Sequence, residues 1–240
     1  MIRSSNPVLS EKTFQSRIAE FGGVGVMTVK GTINKTIVMA LLVAGTAAWS
    51  WMNPSNVWMM VGLIGGLIMA LVTAFRPRSA GYTAPLYAVF EGLFLGAISA
   101  YFNASYGGIV FQAVSLTIGV LFTMLFLYRS GIIKVTEKFR MGVFAATGGI
   151  FLMYMLNLIL SFFGAQFLYL ENASLLMIGI SVAVVVIAAL NLVLDFDFID
   201  RASASGAPKY MEWYGAFGLM VTLIWLYFEI LRLLAMLNRR

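Results

Sequence analysis

Residues 174–196 read SLLMIGISVAVVVIAALNLVLDF, and Asp195 is the first charged side chain in this stretch. A helix needs about 20 apolar residues to cross the roughly 30 Å of hydrocarbon in a bilayer, so the stretch is predicted to span a membrane. Six further stretches share its length and character, at about 36–52, 57–75, 83–103, 109–128, 141–165 and 213–237. Barrel strands would instead alternate polar and apolar residues. The predicted fold class is therefore an all-α integral membrane protein with seven transmembrane helices.

The composition agrees with a membrane protein and excludes several classes of enzyme. Hydrophobic residues make up 61% of the 240-residue chain and charged residues 11%, against roughly half and a quarter in soluble domains. The absence of cysteine and histidine excludes thiol nucleophiles, histidine acid–base pairs and the usual zinc sites. A carboxylate-based membrane peptidase would need a Gly-x-Gly-Asp-like signature, which does not accompany the acidic residues. The sequence thus predicts a protein that is not an enzyme and has no cofactor.

The distribution of basic residues predicts the orientation. Lysine and arginine occur in the first 35 residues and in the loops after the second, fourth and sixth predicted spans, but not in the other three loops. By the positive-inside rule, the N-terminal tail and the even-numbered loops are cytoplasmic. Contact with anionic lipid headgroups then explains the net charge of +6, and nucleic-acid binding is not predicted.

The two ends of the chain leave alternatives open. We assign residues 1–35 to a cytoplasmic tail and residues 36–240 to the seven-helix domain. In the tail, Phe14, Ile18 and Phe21 are spaced to share one face of a short helix lying on the membrane, although a disordered tail fits equally well. Seven full spans place the basic C-terminal end, at Arg239 and Arg240, on the outer side of the membrane. A last segment that enters the membrane and returns would instead leave this end in the cytoplasm. Seven full spans are favoured because the earlier loops together outweigh the C-terminal charge.

Glycines four residues apart predict close helix packing in the second and third spans. Gly62 and Gly66 lie in the second span, and Gly92 and Gly96 lie in the third. Small residues at this spacing allow two helix backbones to approach closely, which is a packing feature without functional weight.

Three acidic residues, Glu91, Asp195 and Glu229, lie inside the predicted spans or at their mouths. A carboxylate in hydrocarbon costs several kcal/mol unless it has a partner, a proton or a water-filled cavity, so these residues are the default functional candidates. The topology places Glu91 and Asp195 in the cytoplasmic half. Glu91 is either a protonated acid that holds a neighbouring helix or a carboxylate that faces a cavity.

The neighbours of the other two acids leave a structural alternative for each. Asp195 is either a charge at a helix end or a functional group, and Asn191, one turn deeper on the same face, favours the second. Asp197 points roughly to the opposite side of the helix and is a secondary candidate. Glu229 has Arg232 three residues later, so a simple intrahelical ion pair is its structural alternative.

The chain resembles the Bax inhibitor-1 family, in particular its bacterial YccA-like branch. Three stretches carry the resemblance: APLYAVFEG at 84–92, LDFDFI at 194–199, and the last span from Trp213 to Leu234. The resemblance implies a bundle in the bacterial inner membrane with the last helix in the middle of the other six. It also implies a pH-sensitive leak for calcium.

The resemblance further implies that two acids, one on the sixth helix and one on the seventh, share a proton, and that an arginine of the second helix latches one of them. These roles fall on Asp195, Glu229 and, less closely, Arg76, with Glu91 as a possible third acid and Arg232 as a further charge partner. The same three acids are the candidate calcium ligands, because calcium prefers six to eight oxygen ligands. Two nearby carboxylates titrate as a unit. A straight seventh helix would leave Asp195 and Glu229 at different depths and unpaired.

Two functions follow as hypotheses. The first is a pH-sensitive cation leak channel or transporter, with calcium as the expected ion. The alternative is a non-transporting partner that regulates another membrane protein, such as a membrane protease.

Overall fold

The computed structural model describes residues 25–163 and 174–239. Within these ranges, seven helices are long and apolar enough to cross a membrane, which confirms the predicted fold class. The helices are α1 Val29–Met52, α2 Asn56–Phe75, α3 Ala80–Ser105, α4 Ile109–Arg129, α5 Glu137–Phe162, α6 Leu175–Ala204 and α7 Met211–Asn238. The predicted surface helix around Phe14, Ile18 and Phe21 lies outside the described residues.

Side-chain caps and breakers set where the helices begin and end. Thr28 accepts a hydrogen bond from the Gly31 amide at 2.9 Å before α1, and Ser174 does the same for Met177 at 3.3 Å before α6. Such caps satisfy amides that have no partner within the helix. After α6 the chain turns at Gly206 with a φ of 72°, a backbone conformation that glycine adopts at little cost.

The last helix is the centre of the bundle, as the resemblance implies. In the most apolar part of α7, 61% of the residues are buried, against 39% or less in each other described span. α7 packs against α1, α3, α4 and α6, and its Tyr227 hydroxyl forms a buried hydrogen bond of 2.6 Å with Ser99 of α3. The other helices turn large apolar side chains outward, as lipid-facing helices do.

Close glycine packing joins the first three helices, which confirms the prediction from their spacing. A Cβ atom on Gly62 of α2 would lie 2.5 Å from the Phe94 amide nitrogen of α3. A Cβ atom on Gly96 of α3 would overlap the Ala47 carbonyl group of α1. Gly66 and Gly92 make similarly close contacts.

α7 crosses the bundle as one continuous helix, so the alternative of a returning last segment is wrong. At its start, the Met27 amide donates to the Ala207 carbonyl at 2.8 Å, which holds the beginning of α1 beside the α6–α7 connection. At its far end, Arg239 Nε donates to the Tyr106 hydroxyl, in the α3–α4 connection, at 2.6 Å. We call the first end the basic face: it carries the start of α1 and the α2–α3, α4–α5 and α6–α7 connections.

Candidate functional site

The structure places the two predicted sensor acids at different depths. Asp195 lies nine residues before the end of α6 at Ala204, about 14 Å from the basic-face end of that helix. The carboxyl of Asp195 contacts Thr222 of α7. Glu229 lies two turns further along α7, about 10 Å deeper. Because α7 is one uninterrupted helix through Thr222 and Glu229, the structure does not form the predicted proton-sharing pair.

Asp195 lines a cavity of about 540 Å³ between α5, α6 and α7. Among the described residues, its Oδ2 atom is buried and has no hydrogen-bond partner. Asn191 lines the same cavity one turn deeper, and its amide nitrogen donates to Thr147 of α5 at 2.8 Å and to the Ile187 carbonyl at 2.9 Å. The predicted alignment of Asp195 and Asn191 therefore forms one polar strip in the wall of the cavity.

Ion pairs lie at the side of this cavity nearest the basic face. The Asp197 carboxylate lies 3.3 Å from Arg140 of α5 and 2.5 Å from Arg201, and Arg140 also pairs with Glu137 at 3.0 Å. Asp197, a secondary candidate from the sequence, is thus a charge partner that ties α5 to α6. Arg140 and Arg201 line the cavity with their positive charges already compensated.

Glu229 lies in a second cluster, in which Arg232, Tyr154 and Trp225 all contact its carboxylate. Glu229 is only 4% exposed, and the Arg232 guanidinium lies 2.6 Å from its Oε2 atom. The Tyr154 hydroxyl of α5 donates to Oε1 at 2.7 Å, and the Trp225 ring nitrogen does so at 3.2 Å. Arg232 also lies 5.2 Å from the centre of the Tyr154 ring. The ion pair expected as the structural alternative is therefore present, and it extends to a second helix.

The remaining predicted residues lie apart from both acids. Glu91 of α3 packs against Gly66 of α2, where a Cβ atom would come within 2.7 Å of its Oε1 atom. Within the described residues, no group of three acids is placed to hold a metal ion, so the structure does not assemble a calcium site from Glu91, Asp195 and Glu229. Arg76 is exposed at the end of α2, and it belongs to none of the ion pairs in the described part of the chain. The predicted latch is therefore not formed here.

Sequence reasoning missed the most extensively bound carboxylate, Glu212 in the first turn of α7. It is 0% exposed and pairs with Lys35 of α1 and, at 3.0 Å, with Lys209. Thr28 donates to its Oε1 atom from its amide at 3.0 Å and from its hydroxyl at 2.9 Å. Lys209, three residues earlier, was a visible signal, but Lys35 and Thr28 are more than 170 residues distant in sequence.

A family model described as Bax inhibitor 1 like matches residues 6–239, nearly the whole chain. No curated protein and no solved structure matches it. The match does not distinguish the bacterial YccA-like branch, which stays a prediction. The three sequence motifs, the seven-helix bundle with its central last helix and the family match agree. The chain belongs to the Bax inhibitor 1 like family.

Proposed function

We propose that this protein is a pH-sensitive cation leak pathway of the bacterial inner membrane, with calcium as the expected ion and the basic face in the cytoplasm. One observation carries the proposal: Asp195, whose buried Oδ2 atom has no hydrogen-bond partner among the described residues, lines a cavity between α5, α6 and α7. An unpaired acid at membrane depth is costly and is typical of an ion pathway.

The polar strip of the cavity supplies part of a cation site. The carboxylate of Asp195 and the side-chain oxygen of Asn191 are hard oxygen ligands. Calcium takes six to eight such ligands, so these two residues supply only part of its coordination shell. Water and backbone carbonyl groups would complete the shell. Such a partly hydrated site binds weakly, as a pathway requires, because an ion that is fully held does not leave.

The Glu229 cluster is the barrier in this proposal. Glu229, Arg232 and Tyr154 join α7 to α5 about 10 Å beyond Asp195, and their polar atoms bind one another. A proton on Glu229 would remove the charge that holds Arg232 and so weaken this contact between the helices. The two acids then act in series, with cation binding at Asp195 and proton control at Glu229.

Calcium flux into liposomes that contain the purified chain, measured across pH, tests the proposal. We expect wild-type flux to rise as pH falls, Glu229→Gln to give high flux at every pH, and Asp195→Asn to reduce flux throughout. Glu91→Gln, at a carboxylate outside the cavity, is the matched control. Unchanged pH dependence in the variant with both Asp195→Asn and Glu229→Gln would refute the proposal. An inert chain that copurifies with another membrane protein would support the regulatory alternative.

A further inference from the structure

The Asp195 cavity is far larger than a single metal ion requires. Its volume of about 540 Å³ lies within the range of roughly 300–1,000 Å³ that is usual for pockets that bind small organic molecules. Its walls are mainly apolar, with the carboxylate of Asp195 and the amide of Asn191 as the neutralising and orienting groups. A pocket of this kind has room for an organic ligand beside Asp195.

The charges around the cavity favour a cation. Arg140 and Arg201 both line it, but Asp197 pairs with both arginines and Glu137 pairs with Arg140. Two positive charges therefore meet two negative ones. Asp195 is left as the uncompensated charge, and its Oδ2 atom has no hydrogen-bond partner among the described residues.

Aromatic rings from all three helices line the same cavity. Phe198 of α6 and Tyr214 of α7 have ring centres 6.3 Å apart, and Tyr214 and Phe217 are also 6.3 Å apart. Phe144 of α5 contributes a fourth ring to the lining. Ring faces attract organic ammonium groups, and the attraction strengthens where water is excluded.

We propose that this cavity binds an organic ammonium ion, with its positive charge at Asp195 and its alkyl groups against the rings of Phe198, Tyr214 and Phe217. The inference deepens the proposed function, because it rests on Asp195 as the cation site and names a class of cation for it. Binding itself requires no ion flux, so the two proposals can fail separately.

Calorimetric titration of the full chain in detergent with choline tests the inference. The uncharged molecule of the same shape, 3,3-dimethyl-1-butanol, isolates the effect of the charge. We expect saturable choline binding and much weaker binding of the alcohol. Asp195→Asn should weaken choline binding by about tenfold or more, the value of one charge-assisted contact. Phe198→Leu should weaken it about two- to fivefold, as expected for one lost ring face.

Glu91→Gln is the matched control, because it neutralises a carboxylate in the same half of the bundle outside the cavity and should leave binding unchanged. Phe198 is partly exposed, so Phe198→Leu reports on the site even if Asp195→Asn does not fold. No saturable choline binding, equal binding of the alcohol, or full binding by both cavity variants would overturn the inference. Choline binding by a protein without calcium flux would refute only the leak, and Asp195-dependent flux without choline binding would refute only this inference.

Discussion

Glu212 is predicted to stabilise the bundle more than any exposed ion pair. It is 0% exposed and binds Lys35, Lys209 and Thr28, which joins the start of α7 to the start of α1. Its position in the first turn of α7 also places its negative charge at the positive end of the helix dipole. Gly31 leaves the space that the carboxylate occupies, since a Cβ atom there would overlap it.

Glu212→Gln removes the negative charge while it keeps the size of the side chain. The Lys35 ammonium, whose side chain is 19% exposed, then loses its partner and faces an amide. Removal of one partner from a buried ion pair costs about 3–5 kcal/mol. Because Lys35 keeps some access to solvent and Lys209 is half exposed, we expect the lower end, about 3 kcal/mol of unfolding free energy.

Unfolding of the full chain in mixed micelles, followed by circular dichroism, measures this change. Glu137→Gln is the matched control: it lies in the first turn of α5 and pairs with Arg140 at i+3, but its side chain is 79% exposed. That variant should lose less than about 1 kcal/mol. Adding Lys35→Met to Glu212→Gln should restore part of the loss, because the less exposed of the two lysines then no longer carries an unpaired charge. Equal effects of Glu212→Gln and Glu137→Gln would refute the reasoning.

Two further predictions concern packing and the Glu229 cluster. Gly96→Ala should destabilise the protein by about 1–3 kcal/mol in the same assay, because the added methyl group overlaps the Ala47 carbonyl. The control Gly45→Ala lies on the open side of α1 and should be neutral or stabilise the protein by up to about 1 kcal/mol. Equal losses of stability in the two variants would contradict the packing. Tyr154→Phe should cost about 1.5–3 kcal/mol, since it removes a hydrogen bond to a charged group. Tyr101→Phe, which removes an exposed bond to Asn56 of the same length, 2.7 Å, should cost less, and a larger loss there would count against the cluster.

The helices and their order were predictable from the sequence, because the hydrocarbon thickness of the membrane sets a length that each apolar run either meets or does not. The glycine contacts were also predictable, since the spacing of Gly62 and Gly96 with their partners is a local property of a helix. The ends of the helices were less predictable from the sequence. The segment from Asp195 to Ala204 carries three aspartates and an arginine, yet it continues α6. Asp195 therefore lies deeper than it would if the helix ended at the first charged residue.

The pairing of side chains was not predictable to the same degree. Glu229 and Arg232 are neighbours on one helix, so their ion pair followed from spacing. The partners of Glu212 come from the other end of the chain, and no hydropathy pattern reports such contacts. The relative depth of Asp195 and Glu229 depends on whether α7 is continuous, and only the structure shows that it is.

Calcium flux through Asp195→Asn in liposomes, compared with wild type and Glu91→Gln at equal protein density, tests the Asp195 cavity as the cation site most directly. Loss of most of the flux in Asp195→Asn, with wild-type flux in Glu91→Gln, is the predicted result. Wild-type flux in a folded Asp195→Asn protein would contradict it.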